Sequence, residues 1–235
     1  MPLFESIKSN MLCLRWLILS ATLLCLCSSL LLAQNPQLQT RNGRRFPTVV
    51  FTSVLWTANP PYYTIAVDSI GSATYQSAPN SVDSTGVPYT LIFQANDSTR
   101  RMIFTIARDL EYFGADIPVK VSSPQSTPVR TLSYRDLTYN NLLTYSESSN
   151  SEIEELTSIF EEISATAEFG RRLTYLRQHD KDGVAGELAT MQKEAERHHL
   201  RELQAIAPVL RSIVSDRNSS EDARTRASAL LTSVH

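Results

Sequence analysis

Glu194, His198 and Glu202 stand four residues apart in the run "EAERHHLRE". On an unbroken helix that spacing sets all three on one face. Two carboxylates and an imidazole form a ligand set for a divalent cation, so one reading is an exported hydrolase or metal-dependent enzyme using this face. The other is a solvated charged face, its i,i+4 pairs worth about 0.2–0.5 kcal/mol each. The zinc-protease pattern His-Glu-x-x-His is absent.

Other catalytic chemistry finds little footing. Of the four histidines, His179 lies in the turn-like "RQHDKDG" and His235 ends the chain. None precedes residue 179, so a Ser-His-Asp triad would have to draw its imidazole from the last quarter of the chain. After residue 33 there is no Gly-x-Ser-x-Gly elbow and no Ser-x-x-Lys motif. The seven glycines form no phosphate-cradling loop. Asp68, Asp109, Glu111 and Asp116 are explained as turn and helix-surface carboxylates. No catalytic residue is assigned, and no motif calls for a cofactor. Aromatic residues give the remaining candidates. Trp56, Tyr62 and Tyr63 surround Pro60-Pro61, and Tyr134, Tyr139 and Tyr145 mark a later hairpin. They form either a binding surface for an envelope protein, peptide or glycan, or cross-strand packing of β-favouring rings.

The N-terminus carries a targeting pattern. Arg15 precedes the apolar stretch Trp16–Leu32, and Ala33 precedes the polar "QNPQLQT". A basic flank, an apolar stretch and a small exit residue describe a secretory signal, residues 1–33, cleaved after Ala33. The alternative is an uncleaved anchor, since this 17-residue stretch, apolar but for four small hydroxyl residues, approaches the length that spans a bilayer. Met11 offers a second start. Cys25 and Cys27 each follow a leucine, which disfavours lipidation. All three cysteines lie within the leader, so the exported chain carries no disulfide, thiol nucleophile or Cys-ligated metal. Removing Lys8, Arg15 and Glu5 leaves 20 basic and 23 acidic residues, a net charge of −3. That balance excludes a strong field for nucleic acid. Membrane contact is expected only through the leader, if it is retained. "RNGRR" (41–45) reads as a solvated patch in a polar linker, 34–45.

Two composition blocks follow, an α+β module (46–147) and a helical domain (150–235). The first is rich in Thr, Ser, Val, Tyr and Pro, the second in Glu, Arg, Ala and Leu, which is strand chemistry followed by helix chemistry. Strands are expected at 46–56, on both sides of the turn Ser69-Ile70-Gly71, and at 88–95. Tyr63, Ile65 and Val67 alternate with polar or small residues, the period of a half-buried strand. A helix over 96–113, capped by Asp97 or Ser98, carries Ile103, Ile106, Ala107, Leu110 and Phe113 on one stripe and stops at Gly114. Segments 117–123, 127–134 and 137–147 supply a second hairpin, turning at Arg135-Asp136. A helix laid on one face of an antiparallel sheet buries both apolar faces. In the second block, Ser151 with Glu154 suggests a capping box for a helix to about residue 178. "HDKDG" turns the chain, and three further helices make an antiparallel bundle or a stack of pairs.

The run "YYTIAVDSIGSATYQ", the "RRMIFTIARDLEYF" helix and "RTLSYRDL" together resemble modules of uncharacterised exported bacterial proteins. "EFGRRLTYL" and "LQAIAPVLRSI" are similar to helical tails found on some of them. The resemblance implies an exported, periplasmic or secreted α+β protein with a helical tail, and it implies no activity. Some such modules carry Cys-Pro before the first strand, where this chain has Pro60-Pro61, so a cysteine-dependent role does not carry over. The expectation is a non-catalytic envelope protein serving interaction or assembly.

Overall fold

The structure, a computed structural model, describes residues 40–41, 44–79 and 88–233. The expected signal peptide and linker residues 34–39 lie outside the described residues. The elements are β1 (Thr48–Val54), β2 (Tyr62–Asp68), β3 (Ser72–Ser77), β4 (Tyr89–Gln94), α1 (Asp97–Asp109), β5 (Val129–Arg135), β6 (Asn140–Tyr145), α2 (Ser151–His179), α3 (Gly183–Glu196), α4 (Ala207–Ser215) and α5 (Glu221–Thr232). Two-residue ribbons pair Thr40–Arg41 with Arg44–Arg45 and Val119–Lys120 with Glu147–Ser148. The class is α+β, as the composition shift predicts.

The six strands form one antiparallel sheet in the order β4-β3-β2-β1-β5-β6. The chain runs outward from β1 to β4, crosses through α1, and returns to pair β5 on the other side of β1. Turn chemistry fixes the β2–β3 hairpin. Gly71 takes φ +86°, a conformation that costs glycine little. Asp68 Oδ1 accepts from the N–H groups of Ile70 (3.0 Å) and Ser72 (2.8 Å), which closes the loop locally.

Period-2 alternation sends Val49, Phe51, Ile65, Val67, Ala73, Tyr75, Leu132 and Tyr145 to one face, where each is buried. Ile103, Ile106, Ala107 and Leu110 of α1 are buried in the same core. At about 2 kcal/mol per fully buried aliphatic side chain, this stripe contributes several kcal/mol to docking the helix. The helix is shorter than its pattern suggested. It stops at Asp109, not at Gly114. Glu111, Tyr112 and Phe113 then take φ of 51°, 56° and 65°, and this left-handed turn is what brings Phe113 into the core. The cost, roughly 1–2 kcal/mol per residue, is offset by burial of Phe113 and by packing of Tyr112 against the tilted Tyr134 ring (centroids 4.5 Å) and its stacking on Tyr139 (4.6 Å).

Helix α2 serves both composition blocks. Its Asn150 cap accepts from Glu152 and Ile153 N–H (2.9 and 3.0 Å), one residue before the expected Ser151. Its first half, Ile153 to Ala167, joins the sheet core, and Phe160 stacks on Phe51 at 5.0 Å. Its second half, with Phe169 and Leu173, packs with α3, α4 and α5. Gly170 permits this close approach, since a Cβ there would meet Ile206 Cγ2 at 2.4 Å.

Candidate functional site

The three residues expected to share a helix face are not brought together. Helix α3 ends at Glu196, and His198 and Glu202 take left-handed φ of 60° and 64°. The fourfold spacing therefore runs across a break rather than along a helix. Glu194 instead meets His199, Nδ1 to Oε2 at 2.9 Å, and Arg197 at 2.9 Å. The His199 hydrogen bond and the Arg197 charge hold its carboxyl below the usual glutamate range. His198 is exposed. Glu202 is 3 % exposed, and its Oε2 accepts the Asn96 backbone N–H at 2.8 Å and a bond from Gln204. A carboxylate at the start of α1 satisfies an otherwise orphaned donor and favours the helix dipole. Glu202 is thus a long-range cap. Among the described residues no three metal-ligating side chains converge.

The six aromatic candidates are likewise dispersed. Tyr145 is fully buried and hydrogen-bonded to Thr157. Tyr134 is buried within the Tyr112–Tyr139 stack, its hydroxyl on Asp136 at 3.1 Å. Tyr63 lies half-buried between Phe51 and Tyr75. Tyr62 points to the opposite face of the sheet, and Trp56 and Tyr139 stand exposed in separate loops. Core packing, not a common aromatic surface, accounts for Tyr63, Tyr134 and Tyr145.

A buried charged cluster, to which no motif points, lies between α2 and the sheet. Along α2, Phe160, Ser164, Glu168 and Arg171 follow helical spacing, so the stripe facing the sheet turns from apolar to polar as it passes β3 and β4. Tyr75 and Ser77 hydroxyls donate to Glu168 Oε1 at 2.7 and 2.8 Å. Arg171 lies 3.7 Å from that oxygen, donates to Ser77 Oγ and Ala78 O, and sits over the Tyr89 ring. Burial and then the Glu168 charge push the Tyr75 hydroxyl far above its ordinary value, and the same causes raise Tyr89 to about 12. The signal in the sequence was a carboxylate and a guanidinium on the continuation of an apolar stripe. With Glu168 and Arg171 5 % and 4 % exposed, this cluster fastens helix to sheet.

Among the described residues, no helix packs on the sheet's other face. Thr90, Gln76, Thr64, Thr52, Thr131 and Thr144 stand side by side across all six strands. Ile92, Thr74, Ala66, Val50, Ser133 and Leu142 form the adjacent row. Helices α1 and α2 both pack on the opposite face. Ile92 and Leu142, on the two edge strands, are 69 % and 65 % exposed. The edges differ. At the β4 edge, Gln204 Nε2 donates to Gln94 O at 3.2 Å, so the 203–206 turn closes one end. Leu142 stands on the β6 edge, the sheet's other side.

No protein-family model matches the chain, and no curated protein matches it.

Proposed function

We propose that this protein is an exported, non-catalytic envelope module that holds a protein partner against the uncovered face of its sheet. One observation carries the reading: a face six strands wide whose two central rows are mostly Thr, Ser, Ala and Val, with an exposed aliphatic on each edge strand. Short side chains on a pleated surface lose little entropy on contact, and a flat face accepts another sheet or an extended segment. A glycan platform fits less well, because most of the tyrosines that would stack on sugar rings are turned inward. Export rests on the leader pattern of residues 1–33.

A photoreactive residue placed at position 92 or 142 tests this in intact cells. The expected result is a discrete adduct with the same envelope protein from both positions, and none from position 211 on α4. Absence of adducts from 92 and 142 at native abundance would overturn the proposal.

A further inference from the structure

Ser69, Arg100, Arg101, Phe104, Thr105 and Arg108 line a cavity of about 260 Å³ between the β2–β3 turn and the outward side of α1. Helical spacing explains the grouping, since residues 101, 105 and 108 recur on the side of α1 away from the core. Arg100 is anchored, Nη1 to Ser69 O at 2.9 Å and Nη2 to Asp97 at 3.2 Å. Arg108 is held through Nε by Asp109 at 3.1 Å, which leaves its Nη groups free of described acceptors. Arg101 is exposed and has no acceptor among the described residues. The groove therefore offers planar, bidentate donors beyond those its own carboxylates engage. That is the geometry guanidinium groups use for phosphate.

Two further features point to the source of the phosphate. Ile70, beside Ser69 at the hairpin tip, is 41 % exposed. Arg100 stands directly beside that tip, its guanidinium bonded to the Ser69 carbonyl, and Arg101 follows it on the exposed side of α1. An aliphatic tip flanked by arginines matches an anionic bilayer surface, with guanidinium at headgroup depth and isoleucine below it. A small soluble phosphate would make no use of Ile70. We infer that this end of the molecule is a membrane-surface face that binds the phosphate headgroups of anionic lipids.

Cosedimentation of the full chain with phosphatidylglycerol/phosphatidylcholine vesicles, against phosphatidylcholine alone, tests it. The apolar stretch 16–32 acts on both vesicle types, so their difference reads the basic face. Each arginine near such a surface is worth about a factor of five. R101E/R108E should therefore lower the preference for anionic vesicles by at least ~25-fold. R211E/R217E, an equal change in net charge at exposed positions elsewhere, should leave it unchanged. Arg101→Ala, which removes no described contact, should give about a fivefold loss and keeps the test readable if the double variant misfolds. Ile70→Ser should weaken binding with no change in charge. Equal loss in both double variants, equal wild-type binding to both vesicle types, or release by inorganic phosphate at constant ionic strength would each overturn the inference.

Discussion

The two faces of the sheet share one backbone and one alternation, yet they hold opposite chemistries. The covered face carries Phe51, Ile65, Tyr75, Leu132 and Tyr145, all fully buried, and the ions described on it are paired, Glu168 with Arg171 and hydroxyl donors and Arg130 with Glu161 at 2.8 Å. The uncovered face carries threonines whose hydroxyls bond one another, as in Thr52 to Thr64 at 3.2 Å. On the first face a polar atom must find a partner inside the protein, and on the second a neighbouring hydroxyl or carbonyl serves where the side chain is buried and water where it is exposed. The difference teaches that the same amino-acid change has very different consequences one residue apart along a strand.

The largest effect is expected from Arg171→Leu. It leaves the Glu168 carboxylate buried without its counter-ion, and removing one partner of such a pair costs about 3–5 kcal/mol. Chemical denaturation should show that loss with an unchanged m-value. A loss under about 1 kcal/mol would mean that the cluster is not closed to water.

A pH titration sharpens the comparison further. Burial raises the hydroxyls of Tyr75 and Tyr145 on the covered face above the ordinary 10.0, Tyr145 to about 12. The folded state thus holds these protons more tightly than the unfolded chain. Their contribution is intact below about pH 10 and lost as pH rises through the folded values, at about 1.4 kcal/mol per pH unit for each tyrosine. Thermal melting should fall steeply between about pH 10 and 12, and Tyr145→Phe should reduce the slope. A flat profile across that window would contradict the burial of these rings.

The smallest effect belongs to the uncovered face. Leu142→Ser should change stability by no more than about 0.5 kcal/mol while reducing any adduct formed from position 92. A large destabilisation would show that this face is covered within the same molecule.

Local pattern sufficed for much of the fold. The Asp68–Gly71 turn, the alternation of β2, the α1 stripe and the succession of C-terminal helices are short-range consequences of period and turn chemistry, and they were legible. Helix ends were less so. Phe113 belongs to the apolar stripe by spacing, yet it reaches the core through three left-handed residues, because burying it outweighs continuing the helix. The shared face expected of Glu194, His198 and Glu202 is broken in a similar way, by left-handed residues. A fourfold spacing implies one face only while the helix lasts, and the chain breaks after Glu196.

By itself, the sequence determined which segments are strands and helices, the two composition blocks, the absence of cysteine after Cys27, and the carboxylates and guanidiniums available for use. Tertiary structure alone decided that β5 returns beside β1, that α2 belongs to both cores, that Glu202 caps a helix more than ninety residues earlier, and that Arg100, Arg101 and Arg108 flank the Ser69 turn. Periodicity reports a residue's direction relative to its own element, whereas partners distant in the chain are chosen by the packing of whole elements, which no local spacing encodes.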